Sequence, residues 1–406
     1  MLLSSSVFAQ ECSHTYTAGE FMNLAQEKEI HFEIKENEIA AMDGYITDAA
    51  KIYNPDIEHF TTTGDQYGQN NVTSETRIWF NLQIANKRQK RADVFRVQNE
   101  INAIELQALK MKLRKELFLG ILRYKQIEKQ VSSVSDLKEV IDGFITRYEK
   151  ISYLSPEQKV EKGSLEISQN DLILVEAKLI NERELIKRFF QRALRENCEV
   201  SMTIAGPIPG NSWPEMDEIE LIENVSLDFK ISQLAIRKSE FEFVREEAKK
   251  YPDLKVGPVW QLNKLGNQEF STYGLSFILP LPLFDVNQGL RSVAEFNLRR
   301  SKLEADFSKQ QIAKEFDFRK QNYIRLKNKF NSVNEITKYR SLLTEYRALF
   351  KRGLISISAF LSYKREFLNL TSEVHDIESA LADHLIELHH INSLSTEKII
   401  PKVLNL

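Results

Sequence analysis

Tyr273-Gly274-Leu275-Ser276-Phe277-Ile278-Leu279-Pro280-Leu281 places Tyr273, Leu275, Phe277, Leu279 and Leu281 on one side and Gly274 and Ser276 on the other. That two-residue period is a strand with one apolar face. Upstream stand Tyr251-Pro252-Asp253-Leu254 and the alternating Leu254-Lys255-Val256-Gly257, which read as the partner strand of a hairpin. Roughly 200 residues earlier the chain says nearly the same thing. Asn54-Pro55-Asp56-Ile57 is followed by a polar turn and by Arg77-Ile78-Trp79-Phe80-Asn81-Leu82-Gln83-Ile84. Here Ile78, Phe80, Leu82 and Ile84 share one side, and Arg77, Trp79, Asn81 and Gln83 the other. The first partner strand, Ile57 to Thr63, is Thr-rich and a poorer match. Gly64 to Asn71 and Asn263 to Gln268 are polar and Gly/Asn-rich, and are expected to be the turns.

Each hairpin sits between helical patterns. Thr17 to Tyr53 reads as one helix, with Met42, Tyr45, Ile46, Ala49 and Tyr53 in a stripe, stopped by Pro55. Asp217 to Lys250 is its counterpart, with Leu227, Ile231, Leu234, Phe241, Val244 and Ala248 near a heptad seam, stopped by Pro252. After the hairpins, no proline interrupts Lys87 to Leu154 or Asn287 to Glu397. Val97, Ile101, Ile104, Ala108 and Met111 alternate four- and three-residue steps, a coiled-coil period. Such helices need neighbouring helices to cover their stripes. Each is expected to break at a glycine after a cation, Lys162-Gly163 and Arg352-Gly353, with a serine starting the return helix. The chain thus divides into two structural repeats, 10–200 and 201–406, each helix, hairpin, helix, sharp turn, helix.

Composition agrees. The 406 residues include only 14 Gly and 10 Pro, and 28% are charged, which favours long helices. A net charge of −3 leaves no basic footprint for nucleic acid. No apolar run is long enough for a bilayer-spanning helix, which does not exclude barrel strands. Residues 1–9, ending Val7-Phe8-Ala9, read as a truncated signal peptide. Cys12 follows Glu11, where lipidation wants a small residue. The only other cysteine is Cys198; an exported chain permits one disulfide between the two, and spacing does not decide between a bridge and two free thiols.

With these residues in place, the chain resembles the TolC family of outer-membrane efflux proteins, and within it the CzcC-like branch. The resemblance is carried by Tyr251-Pro252-Asp253-Leu254, by Leu279-Pro280-Leu281-Pro282-Leu283-Phe284-Asp285 with Asn287 and Gly289, by the Asn86-Lys87-Arg88 to Arg91 junction, and by the two Gly-aliphatic-Ser turns. It implies a mainly α protein with a membrane β part: a long α-helical barrel plus four strands per chain, a homotrimer closing one twelve-strand β-barrel in outer-membrane lipid. It also implies a periplasmic helical tip that meets an adaptor protein and an inner-membrane pump. The lipid-facing residues would be Ile78, Phe80, Leu82, Ile84, Leu254, Val256, Tyr273, Leu275, Phe277 and Leu279, with Arg77, Asn81, Gln83 and Ser276 facing a water-filled lumen. The aperture would form at Lys162, Gly163, Arg352 and Gly353, with Asp171 as the acidic residue of the first return helix. The matching stretch Ser358-Ala359-Phe360-Leu361-Ser362 carries no carboxylate.

Other residues stay open between two readings. Trp79, Trp260 and Tyr273 are either interfacial anchors or ordinary lumen aromatics. Lys87, Arg88, Lys90 and Arg91 either snorkel to lipid headgroups or begin a solvated helix, where a basic first turn opposes the helix dipole. His375, His384, His389 and His390 do not space three ligands onto one helical face, so no metal site and no cofactor is expected. No phosphate loop, nucleophile elbow or paired-Cys motif is present, and an enzyme is not expected. The expected function is the outer-membrane channel of a tripartite efflux system, a passive duct for metal ions or small molecules. The rivals are a duct for type I protein secretion, a soluble coiled-coil scaffold, and a periplasmic adaptor, which should carry a β-rich core absent from this pattern.

Overall fold

A computed structural model describes residues 13–66, 68–195, 199–203, 213–215, 220–222, 225–333 and 336–394. The expected signal peptide, Cys12 and Cys198 lie outside the described residues. The elements are β1 (Ser13–Thr17), α1 (Ala18–Glu27), α2 (Ile30–Ala50), β2 (Asp56–Gln66), β3 (Gln69–Leu82), α3 (Lys87–Glu149), α4 (Pro156–Leu194), β4 (Glu199–Thr203), α5 (Leu227–Ala248), β5 (Leu254–Leu265), β6 (Gln268–Ile278), α6 (Gln288–Ser332), α7 (Ile336–Lys351) and α8 (Ile357–Ile391). No described helix is long and apolar enough to cross a membrane. The chain forms two compact units, Glu33–Gln107 with Leu227–Gln311, and Met1–Phe32 with Ala108–Ser226 and Ile312–Leu406. Each unit draws on both sequence repeats.

The first of these units holds a four-stranded antiparallel sheet in the order β2-β3-β5-β6. Both expected hairpins form, and β3 joins them by pairing with β5 from Asn71↔Leu265 to Leu82↔Leu254. The strands run further than their patterns suggested. The stretches expected as turns, Gly64 to Asn71 and Asn263 to Gln268, are mostly paired strand. The hairpins close only around Gly68 (φ 77°) and Gly266 (φ 60°), where positive φ suits glycine. At the other end Ile84 lies past β3 and Leu279 past β6. Pro280 and Pro282 supply no N–H, so the ladder cannot continue there.

Gly257 and Pro258 sit in β5, an inner strand. The β3–β5 ladder skips the two rungs between Arg77↔Val259 and Phe80↔Val256. A Cβ at Gly257 would stand 1.6 Å from the Ile78 carbonyl oxygen, so only glycine admits this backbone approach. Both sheet-to-helix junctions use an asparagine in the left-handed region, Asn86 (φ 55°) and Asn287 (φ 58°), a conformation its short polar side chain tolerates.

The other unit is helical, with a two-stranded parallel ribbon, β1 on β4, that the sequence reading missed. The expected helix from Thr17 is two helices, α1 and α2. Thr17 caps α1 in a reciprocal box with Glu20. The second helix, expected from Asp217, forms as α5 from Leu227. The apolar seam runs through Ile127, Val134, Leu137, Ile141, Leu165, Leu172, Leu179, Phe350, Phe360 and Phe367. Phe350 stacks between Phe144 at 3.9 Å and Phe360 at 4.3 Å.

The two glycine turns part company. Gly353 (φ 72°) ends α7: its N–H donates to the Phe350 carbonyl and that of Leu354 to the Leu349 carbonyl, and Ser356 caps α8. Gly163 does not end a helix. It lies inside α4, and Lys162 beside it pairs with Glu166 at 3.4 Å. The first turn falls before Ser155, whose side chain accepts from the Gln158 amide while Gln158 reaches back, with Pro156 at the first helical position. That capping box outweighs a lone glycine, which costs a helix interior only about 1 kcal/mol.

The two glycines therefore answer oppositely to a methyl group. Gly163→Ala should stabilise by about 0.5–1 kcal/mol, while Gly353→Ala should cost about 1–2 kcal/mol through its left-handed backbone. Thermal unfolding followed by helical circular dichroism reads both, and equal effects would contradict these turn positions.

Candidate functional site

The register sorts the sheet into two unlike faces. One carries Ile57, Ile78, Phe80 and Leu82 from β2 and β3, Leu254, Val256, Pro258 and Trp260 from β5, and Tyr273, Leu275 and Phe277 from β6. Phe80, Val256 and Phe277 share one rung, and Trp260 and Tyr273 another. Tyr273, Leu275 and Phe277 are 80%, 80% and 75% exposed, so this apolar face meets no other part of the described chain. Towards the hairpin turns it becomes polar, with His59, Thr61, Ser74 and Thr76 in hydrogen-bond contact.

The opposite face holds Glu58, Glu75, Arg77, Trp79, Asn81, Lys255, Gln261, Asn263 and Ser276. Trp79 is buried there, its indole N–H donating to Glu58 Oε2 at 2.9 Å. Arg77 pairs with Glu75 and lies 5.7 Å from the Phe60 ring centre. Thr73 and Gln261 both donate to Asn263 Oδ1, at 2.9 and 3.0 Å. Trp79 is therefore a polar-face aromatic, whereas Trp260 and Tyr273 lie on the apolar face. The outer strands β2 and β6 have no strand partner on their far sides among the described residues.

The basic first turn of α3 has a structural role. Lys87 Nζ donates to Asp253 Oδ1 at 2.6 Å and to the Tyr251 carbonyl, just past the end of α5. The Arg91 guanidinium donates to the Ala49 carbonyl in the last turn of α2 and to Gln83 Oε1. These cations sit at the wrong end of their own helix but near the carbonyl ends of two others, where positive charge is favourable. In the second hairpin Asn287 Nδ2 donates to the carbonyl and carboxylate of Glu246. Burial opposes the Glu246 charge, yet hydrogen bonds from Lys249 and Asn287 hold its pKa below the ordinary carboxylate value.

In the helical unit the first hairpin, α3–α4, runs on past the second, α7–α8. Asp171 meets Lys364 at 2.9 Å, yet Asp171 lies 16 residues after its cap (171 minus 155) and Lys364 eight after its own (364 minus 356). The eight-residue difference is roughly 12 Å of helix. Arg147, near the end of α3, donates to the Lys351 carbonyl at the end of α7. Asp171, the expected aperture acid, is thus ion-paired. Lys364 is 4% exposed and also donates to Ser168 Oγ at 3.0 Å, while Asp171 is 59% exposed.

Lys364 belongs to a regular series. Ile357, Lys364, Thr371, Glu378 and Leu385 recur every seven residues along α8, with Phe360, Phe367, Val374, Leu381 and Leu388 as the companion series. Three of the first five are polar, so the seam alternates apolar and hydrogen-bonded layers, a device that fixes helix register. Gln126 Nε2 donates to Glu378 Oε2 and to the His375 carbonyl, and Ser379 donates to Gln126 Oε1. A cavity of about 500 Å³ opens beside Gln130, Asp171, Lys178, Lys364 and Thr371. Lys125 Nζ is buried with no hydrogen-bond partner; burial, aided by Lys129, lowers its pKa to about 8.

The four histidines of α8 do not converge. His389 bonds to the Leu385 carbonyl and His384 faces Arg319. Burial lowers the pKa of both and of His390. Among the described residues no three His, Cys, Asp or Glu side chains come together as metal ligands.

No protein-family model and no curated protein matches the chain. Solved structures do. The chain is similar to CusC, a protein that folds to form a transmembrane channel: 12% identity, TM-score 0.73, covering 93% of this chain and 92% of that one. The CmeC outer membrane channel of Campylobacter jejuni gives 11% identity and TM-score 0.73 over 96% and 89%. The open MtrE outer membrane channel of Neisseria gonorrhoeae gives 8% identity and TM-score 0.71 over 93% and 89%. The chain has the fold of these channels. The expected fold, long helices with four strands per chain, is met, and at such identities the likeness speaks for architecture alone.

Two stability measurements test the helical seam. Removing Asp171 strands a buried ammonium, so Asp171→Ala should cost about 1–3 kcal/mol after discounting for its exposed carboxylate. Lys364→Met should cost less and should rescue Asp171→Ala in the double variant; equal single costs would mean that the pair does not matter as drawn. For Lys125 the folded pKa lies below the ordinary 10.5. The unfolded chain then binds more protons between about 8 and 10.5, and stability rises with pH across that window. Lys125→Met should accordingly raise the unfolding temperature at neutral pH and lose that advantage at the alkaline end.

Proposed function

We propose that this chain is the outer-membrane channel component of a tripartite efflux system, a passive exit duct and not an enzyme. The observation that carries the reading is the sheet β2-β3-β5-β6. Among the described residues it has two unpaired edges, one apolar exposed face and one polar face. Water is a poor environment for that apolar face, and lipid is a forbidden one for open edges, since unpaired backbone groups cannot be hydrated there. Pairing β6 of one copy with β2 of the next answers both. Three copies close twelve strands into a barrel, the apolar face towards lipid and Arg77, Asn81 and Ser276 towards a water-filled lumen. Strands of 11 to 14 residues are long enough for a tilted span.

The helices then lie in the periplasm, and the overhanging turn between α3 and α4, with Gly353 on the shorter hairpin, is the end that meets a periplasmic adaptor and an inner-membrane pump. Asp171 and Lys364 hold the return helices α4 and α8 near that end. The similarity to outer-membrane channels and the resemblance of the Leu279 to Asp285 segment to the CzcC-like branch support efflux of metal ions or small molecules. The exposed Leu275 and Phe277 count against a soluble scaffold, because monomeric soluble proteins rarely display so large an apolar face.

Fractionation and reconstitution test the duct. The expected result is a trimer in the outer-membrane fraction that survives unheated detergent electrophoresis and conducts ions in a planar bilayer. Phe277→Arg, at the centre of the apolar face, should cost about 2–4 kcal/mol per chain and abolish trimer recovery. A soluble, non-conducting monomer would refute the reading.

A further inference from the structure

α3, α4 and α8 border a cavity of about 500 Å³, inside the roughly 300–1,000 Å³ typical of small-molecule sites. The residues that line it all lie in one compact unit. Val134, Val175, Leu179 and Leu368 give it apolar walls. An empty packing gap is apolar throughout, and this cavity is not. Gln130 lines it and is 8% exposed, and the Gln130 Oε1 is buried with no hydrogen-bond partner. Ser133 and Thr371, also buried, give their hydroxyl protons to the Lys129 and Phe367 carbonyls of their own helices. What remains of both hydroxyls is accepting capacity. The inner surface therefore calls for a donor.

The rim has the opposite demand. Lys178, Arg365, Asn369 and Ser372 line the cavity and are exposed. Four lining cations, Arg123, Lys178, Lys364 and Arg365, stand against two lining carboxylates, Asp171 and Glu182, a surplus of two positive charges (four minus two). Arg123 donates to both oxygens of Glu182, at 2.6 and 2.9 Å, and Lys364 meets Asp171 at 2.9 Å. The surplus therefore rests on Lys178 and Arg365. Arg365 also approaches Glu366 at 3.7 Å, but both side chains are 71% exposed, and so solvated a contact does little to quench the charge.

We propose that this cavity binds a small organic anion with an apolar body and a hydroxyl group. Its carboxylate sits at the rim on Lys178 and Arg365, its body lies against Leu179 and Leu368, and its hydroxyl donates to Gln130 Oε1 inside. An inorganic anion satisfies the rim alone and leaves the apolar walls bare. A purely apolar solute leaves Gln130 buried and unanswered, which works against its binding. A ligand so placed touches three helices at once and stabilises the folded chain by mass action. The site is complete within one chain, so it stands or falls apart from the closure of the barrel.

The test titrates the purified full chain calorimetrically with three probes. Para-coumarate carries both the carboxylate and the hydroxyl, cinnamate lacks the hydroxyl, and para-coumaryl alcohol lacks the charge. Para-coumarate should bind one site per chain, about fivefold or more tighter than either comparator, and should raise the unfolding temperature. Gln130→Leu should erase the preference for para-coumarate over cinnamate. Lys178→Met should weaken both acids about tenfold and leave the alcohol unchanged. Ser372→Trp, at the exposed rim, should block all three without altering the unfolding of the unliganded chain. If Gln130→Leu does not fold, the two rim variants decide. Equal affinity for the three probes, binding indifferent to Lys178→Met and Ser372→Trp, or no saturable binding at millimolar probe would overturn the proposal. Binding by a single chain that vanishes on self-association would give the cavity to a neighbouring copy and overturn it as well.

Discussion

Backbone amides and carbonyls must find partners wherever water is excluded, and in the proposed membrane setting that demand falls on β2 and β6. The inner strands β3 and β5 are paired on both sides, whereas among the described residues the two outer strands, each 11 residues long, have no partner on their far edges. Charged side chains, bulges or a covering helix usually blunt such edges. Here the strand beside one edge carries Tyr273, Leu275 and Phe277 in plain exposure. In the proposed duct, edge and face belong together as parts of a larger closed wall. The rest of that unit serves the same end. Lys87 and Arg91 clamp the ends of α5 and α2 beside the strand exits, and Asn287 is anchored on Glu246.

The helical unit solves a different problem. Long helices of low apolar content bury narrow stripes, and a narrow stripe permits slippage between registers. The seam answers with aromatic stacking at Phe144, Phe350 and Phe360 and with polar layers at Lys364, Thr371 and Glu378. Buried ion pairs seldom add much net stability, because desolvation offsets their attraction. At Lys364 and Asp171 only the lysine is buried, and a register shift would strand its ammonium.

Much of this was legible in the chain itself. Two hairpins, their apolar faces, the long helices and the Gly353 turn follow from period and from the left-handed tolerance of glycine. Gly163 misled because a glycine after a cation looks like a helix end wherever it stands, while the Ser155-Pro156-Glu157-Gln158 start signal was present and stronger. Parity already set Trp79 on the side of Arg77 and Asn81, and its role there came only with the hydrogen bond to Glu58. Lys364 could not be placed, because a lone lysine in a helical pattern looks solvated until its neighbours are known.

The sequence by itself determined the local elements, since alternation, capping and proline stops act within a few residues. Only the tertiary structure decided what meets across long separations. It joined the two hairpins through β3 and β5, paired Asp171 with Lys364, and set β1 against β4, a ribbon with no pattern of its own to announce it. Those contacts link residues far apart in the chain, and their register depends on packing that no short window of sequence contains.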